Sequence, residues 1–304
     1  MRIVDRAVVA ALPAVPKPLV RRFAARYMAG ETLEQAVEVV RELNRQGVSA
    51  TIDVLGEFIR RVAEAEHTAT VYSGVLAAIE RERLDANISL KLSALGLEVD
   101  AAAAGRLLRG LLADAGGRGT FVRVDMEHSA LTDQTLNLYL MLRSEGFENL
   151  GIVLQAYLLR TVDDVEALAS LRPRVRLVKG IYVEPASVAH RDMRAVNRNY
   201  VHLLERLVEL GCHVAVATHD RALIEHALQL IDHHDLAADR YEFQMLLGVA
   251  EDVRARLVAG GHPTRVYVPF GEAWYGYSVR RLKENPSLAG YVARDALRSL
   301  LPAG

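Results

Sequence analysis

Short apolar runs alternate with longer stretches of helical period along almost the whole chain. Eight runs read as strands, at residues 48–55, 88–92, 120–125, 151–155, 175–179, 213–217, 242–246 and 264–268. Most are rich in Val, Ile and Leu without strict alternation, the pattern of parallel strands buried on both faces. Between them, helical spacing covers 32–46, 67–83, 101–114, 133–145, 163–170, 197–210, 221–232 and 251–258. Gly47, Gly146, Gly211 and the pair Gly260-Gly261 follow helices, where a left-handed residue commonly closes the last turn. Thr132/Asp133 and Thr161/Asp163 stand where helices can open.

Strand and helix alternating eight times predicts an α/β protein, a (βα)8 TIM barrel. A doubly wound open sheet is the competitor. Its dinucleotide-binding form would carry G-x-G-x-x-G after the first strand, and that pattern is absent, as is G-x-x-x-x-G-K-[ST]. The 304 residues could make two modest domains, but no linker or shift in composition divides them. One barrel domain over 31–304 is therefore expected, preceded by an N-terminal helical segment at 1–30. Pro286 separates helical stretches at 274–285 and 288–300.

Charge narrows the function. Lys and Arg number 37 against 38 Asp and Glu, so no basic excess favours nucleic acid. The single cysteine, Cys212, rules out a disulfide scaffold and fits a reducing compartment. No apolar run reaches the ~18–20 residues of a membrane span. Residues 7–15 loosely imitate a signal peptide, but Pro13 and Pro16 interrupt them and Arg21-Arg22 follow. An amphipathic leading helix in a cytoplasmic protein is the expectation.

Barrel enzymes place their chemistry at the carboxyl ends of the strands. Here those ends carry Asp53, Lys91, Asp125, Gln155, Lys179, Thr218-His219 and Gln244. Unpartnered burial would cost several kcal/mol for each charge, so the ring must neutralise itself, a ligand, or both. Lys91 reads as a snorkelling lysine, a carboxylate-binding cation or a Schiff-base nucleophile. Strand alternation would put Asp125 and Glu127 on one side, where a metal is conceivable, yet few further ligands stand at neighbouring ends. His219 also fits a helix-capping turn, and His233-His234 a solvated surface. Arg280 and Glu284 are four apart on a helical stretch and can pair. Arg280-Arg281 is either part of a solvated basic helix or a bidentate clamp for a small carboxylate.

Seven segments in order, ISLKLSAL (88–95), VRVDME (122–127), VLQAYL (153–158), RLVKGIY (176–182), ATHD (217–220), EFQMLLG (242–248) and YSVRR (277–281), resemble the proline dehydrogenase family, specifically its short monofunctional bacterial members. The resemblance runs from Tyr27 to the Arg280-Arg281 helix. It implies a distorted barrel that binds FAD, with the last helix over the mouth. It implies oxidation of L-proline to Δ1-pyrroline-5-carboxylate by hydride transfer from C5 to flavin N5, with electrons passed to a quinone. Lys91, Arg280 and Arg281 would bind the proline carboxylate, and Asp125 and Arg176 would be catalytic. Met126, Gln155, Arg176, Lys179, Gly180, Ile181, Thr218, His219 and Glu284 would contact the flavin or hold the cations beside it. Tyr267, Leu246 and Tyr277 would pack round the proline ring. Family members usually carry Ala where this chain has Ile181, which bears on flavin packing. The resemblance further implies peripheral contact with the inner face of a membrane and leaves room for an oligomer. A chain of this length is not expected to carry the aldehyde dehydrogenase or DNA-binding domains of bifunctional relatives. Three rivals are a methylenetetrahydrofolate reductase-like flavin barrel, a Schiff-base aldolase on Lys91 or Lys179, and a non-catalytic binding barrel.

Overall fold

A computed structural model describes residues 26–56 and 59–278. Eight parallel strands close into a barrel: β1 Ser49–Val54, β2 Ala86–Leu90, β3 Val122–Val124, β4 Leu150–Gln155, β5 Arg174–Val178, β6 His213–Ala217, β7 Tyr241–Leu246 and β8 Thr264–Phe270. Each pairs with its sequence neighbour, and β8 returns to β1 with Ser49 opposite Arg265 and Val54 opposite Phe270. Among the described residues α1 Leu33–Arg45 precedes β1, and seven helices connect successive strands: α2 Val62–Arg81, α3 Ala101–Gly117, α4 Thr132–Ser144, α5 Thr161–Leu168, α6 Met193–Glu209, α7 Arg221–His233 and α8 Glu251–Ala259. The barrel expectation therefore holds, with every predicted strand present.

Helix starts follow local hydrogen bonding. Thr32 caps α1 in a reciprocal box with Gln35, and Asp100, Asp192 and Asp220 cap α3, α6 and α7 through their carboxylates. Thr132 and Thr161 open α4 and α5 as their first residues, as expected, although no side chain caps either helix. Thr161 Oγ1 instead donates to Gln155 O at 2.7 Å, fastening the end of β4. Helix α2 begins five residues before its periodic stretch, because Arg61 at its cap gives no capping signal.

The strands are more regular than their composition suggests. One set of alternate residues, including Ile52, Ile88, Leu90, Val124, Ile152, Leu177, Val216, Phe243 and Val268, is buried against the helices. The other set faces the barrel interior and is polar: Thr51, Asp53, Asn87, Ser89, Arg123, Gln155, Arg176, Glu242 and Gln244 are all buried. Bonds between non-adjacent strands prove the inward direction. Arg176 on β5 reaches Ser89 on β2 at 3.1 Å, and Arg123 on β3 reaches Arg174 O on β5 at 2.6 Å. Strict alternation is nevertheless absent from β4 and β6, whose inward positions include Gly151, Val153, Ala215 and Ala217, as the sequence pattern indicates.

Gly151 on β4 shows what the packed interior demands. A Cβ there would lie 2.5 Å from the Phe121 ring and 2.8 Å from Arg123 Nη1 and Arg174 O. Gly110 on α3 is exposed, with nothing within 4 Å of a Cβ. Gly151→Ala should destabilise by ~2–3 kcal/mol through overpacking. Gly110→Ala should stabilise by ~0.5–1 kcal/mol. Urea unfolding of the two variants checks both signs.

Candidate active site

At the carboxyl ends of the strands the barrel opens into a cavity of about 640 Å³. Its walls include Lys91, Asp125, Met126, Gln155, Arg176, Lys179, Gly180, Ile181, Thr218, His219, Leu246, Tyr267 and Tyr277. Every site residue expected from the sequence that falls among the described residues therefore converges on one space. Arg280, Arg281 and Glu284 lie outside the described residues, as do residues 1–25 of the expected N-terminal helical segment; residues 26–30 are described and form a turn and irregular chain, not helix.

The floor is a hydrogen-bonded charge chain. Arg176 Nη1 donates to Asp125 Oδ1 at 2.6 Å, and Arg176 Nε donates to Gln244 Oε1 at 2.6 Å. Asp125 also accepts from Ser89 Oγ at 2.8 Å and from Tyr267 Oη at 3.1 Å. Tyr267 lies beneath the guanidinium, 5.4 Å from ring centroid to Arg176 Cζ, close enough for cation–π attraction. Burial, reinforced by the Asp125 charge, pushes the Tyr267 phenol well above its ordinary range, so it remains a donor. Gln244 Nε2 in turn donates to Glu242, whose other oxygen accepts from Arg265 Nε at 2.9 Å.

Lys91 sits just past β2 rather than inside it, with Nζ 3.5 Å from the buried Asp53 carboxylate. Tyr72 Oη stands behind Asp53 Oδ1 at 3.3 Å and 2.8 Å from Ser89 O. Glu127 does not share a face with Asp125, as alternation had suggested. Strand β3 ends at Val124, and the freed chain turns Glu127 to accept from Ser93 N at 2.9 Å and from Ser93 Oγ.

The β5–α6 side is shaped by Lys179-Gly180. Lys179 Nζ pairs with Asp220 Oδ2 at 2.7 Å, and Asn197 Nδ2 donates to the same oxygen at 3.1 Å. Burial works to raise the Asp220 carboxyl, but the Lys179 bond and charge outweigh it and hold it low. Gly180 has φ +105°, and a Cβ there would fall 2.0 Å from the Tyr157 ring, so only glycine fits. Ile181 is 48% exposed and has room toward solvent. His219 Nε2 accepts from Leu246 N at 3.0 Å, which fixes the imidazole with its proton on Nδ1. Tyr277 is buried against Tyr27 and Leu55 and closes one edge of the cavity.

Two polar atoms in this cavity wall are buried without a hydrogen-bond partner, Gln155 Oε1 and Arg176 Nη2. One is an acceptor and the other a charged donor, a pair suited to a heteroaromatic ring bearing both N–H and C=O edges.

Comparison with known proteins identifies the family. The family described as proline dehydrogenase matches residues 36–294. The chain belongs to the proline dehydrogenase family. Proline dehydrogenase 1 of Bacillus subtilis subsp. natto is 39% identical over 275 residues, covering 90% of this chain and 91% of that protein. Proline dehydrogenase of Deinococcus radiodurans is 37% identical over 279 residues, 90% of each chain. Among solved structures, proline utilization A from Bdellovibrio bacteriovorus inactivated by N-propargylglycine superposes with a TM-score of 0.82 at 25% identity. That match covers 92% of this chain but only 36% of the longer protein. Among the described residues no helix is long and apolar enough to cross a membrane.

The sequence reading missed the layer beneath this proline dehydrogenase site. Arg123, Glu242 and Arg265 support the floor, and the available signal was charged residues at alternate strand positions. Burial would raise the Glu242 carboxyl, but Arg265, Arg123 and His213 bring it down to about 2. Burial, then Arg174, lowers His213 from 6.5 to about 4. An unfolded chain therefore protonates His213 first as pH falls from 6.5 to 4, and protonates Glu242 first from 4.5 towards 2. Both linkages remove stability on acidification, His213 by up to ~3 kcal/mol. His213→Gln should flatten the loss of unfolding free energy between pH 6.5 and 4. Urea titrations across that range read the slope, and an unchanged slope would contradict the assignment.

Proposed function

We propose that this proline dehydrogenase is a flavoenzyme that takes FAD into the mouth cavity and L-proline between the flavin and the Lys91–Tyr267 side. The carrying observation is the convergence of thirteen described residues on one cavity whose wall holds Gln155 Oε1 and Arg176 Nη2 uncommitted. FAD held there would supply the two-electron acceptor for the hydride leaving C5 of proline, the ring nitrogen losing its proton to give Δ1-pyrroline-5-carboxylate, with a quinone as the eventual electron acceptor.

The chain's own residues bind, orient and neutralise. Lys91, steadied by Asp53, supplies one cation for the proline carboxylate, and Arg280 and Arg281 supply the bidentate clamp. Leu246, Tyr267 and Tyr277 form the wall around the five-membered ring and exclude water from it. Arg176 brings positive charge and a spare donor to a ring that gains electrons, while Asp125 and Gln244 fix its orientation. Lys179, held by Asp220, and Gly180, Ile181, Thr218 and His219 make the remaining cofactor wall, with Met126 beside Gln155. Gln155 Nε2 donates to Met126 O at 3.3 Å, which keeps its Oε1 turned away from that loop. Glu284 is assigned to hold the arginine pair beside the flavin. Quinone access implies a cytoplasmic protein touching the membrane peripherally, for which the amino-terminal segment is the candidate.

The deciding experiment is spectroscopic. The purified protein should be yellow, and its flavin absorption should bleach when L-proline is added without oxygen. A coloured protein that does not bleach would remove proline as substrate. A colourless protein trapped by borohydride with substrate would favour a lysine Schiff base instead.

The carboxylate clamp has its own test. Arg281→Met should raise KM for proline by at least tenfold, matching loss of a charged hydrogen bond of ~1.5–3 kcal/mol. Flavin content should stay unchanged. Loss of flavin with little change in KM would place Arg281 on the cofactor.

A further inference from the structure

The barrel has a second opening, at the amino ends of its strands. A cavity of about 130 Å³ there is bordered by Arg123, Arg174, Arg265, Glu242, Asp85 and Asn87, among others. It shares no lining residue with the mouth cavity. Three guanidinium groups thus face two carboxylates, and both carboxylates are engaged. Glu242 accepts from Arg265 Nε at 2.9 Å, and Asp85 accepts from Ser49 Oγ at 2.6 Å.

The arginines are less well answered. Arg174 has no carboxylate partner among the described residues and lies against the Phe121 ring, its Cζ 5.0 Å from the centroid. Arg123 lies at 5.0 Å from the same ring. Arg123 is 1% exposed and spends Nη1 on two backbone carbonyls, Ile152 O and Arg174 O. Its Nε is buried with no hydrogen-bond partner. Burial and the charges of Arg176, Arg174 and Arg265 lower this guanidinium to about 9, as surplus positive charge would. Asn87 Oδ1 already accepts from Thr51 Oγ1 at 2.6 Å, which leaves its amide N–H groups as donors.

We infer that this pocket binds a small oxyanion, phosphate or a short carboxylate, between Arg123, Arg174 and Arg265. Guanidinium forks match both head groups, and the volume excludes anything larger than a compact anion. The glycine at position 151 is part of the same arrangement, since a side chain there would displace the Arg123 fork. The assignment does not depend on what the mouth oxidises.

The test uses the cofactor-loaded protein, so that phosphate has no vacant flavin site to enter. Inorganic phosphate and acetate are titrated separately by calorimetry at constant ionic strength. One-site saturable binding of either is expected, with at least tenfold weaker affinity in Arg174→Gln. Arg174 is exposed, so its replacement spares the fold. The exposed Arg106 on α3 serves as the charge-matched control, and Arg106→Gln should bind as the parent does. The anion should also raise the unfolding temperature of the parent and not that of Arg174→Gln. Binding of phosphate or of acetate that depends on Arg174 identifies the head group. Binding of neither, or equal affinity in Arg174→Gln, overturns the inference.

Discussion

A guanidinium inside a barrel of parallel strands is tolerable only where carboxylates and carbonyls meet it. Taking an ion out of water costs several kcal/mol, and the interior offers no solvent to return that energy. Arg176 meets this demand through Asp125 on β3 and Gln244 on β7. Gln244 is then held by Glu242, and Glu242 by Arg265, which also donates to Ala50 O at 2.7 Å on β1. The chain of bonds crosses the barrel and reaches both ends. It ties β3, β5, β7, β8 and β1 to one another across the interior.

That arrangement makes the interior rigid where the chemistry needs rigidity. Side chains fixed by two or more bonds cannot reorient when charge changes nearby, which is the condition for electrostatic preorganisation in a water-poor site. Asp125 is fixed by Ser89, Arg176 and Tyr267 at once, while Lys91 is tethered by the fully buried Asp53. Nevertheless two atoms at the mouth, Gln155 Oε1 and Arg176 Nη2, stay uncommitted. Both atoms belong to residues that line the cavity.

Much of the site was legible along the chain. Lys91, Asp125, Gln155, Lys179 and His219 could be picked out because barrel chemistry gathers at strand ends, and each lines the cavity. The supporting layer was not legible. Arg123 sits mid-strand and Glu242 near the start of β7, where a charged residue among apolar neighbours could equally mark an edge or a solvent-facing position. Glu127 misled for a related reason: alternation holds only while the strand lasts, and β3 stops three residues earlier. Thr161 had the composition of a helix cap, but it is the first residue of α5 and its hydroxyl bonds backward to Gln155 O.

The sequence by itself determined the eight-fold alternation, the helix starts at Thr132 and Thr161, the glycines that close helices, and the residue types at the mouth. These depend on local backbone preference and on hydrophobic period, which act between neighbours in the chain. Only the tertiary structure decided which charges meet. Arg176 and Gln244 are 68 residues apart, and Tyr267 and Asp125 are 142. Partnership over such separations is set by barrel closure and register, because Coulomb and hydrogen-bond energies depend on distance in space and not along the chain.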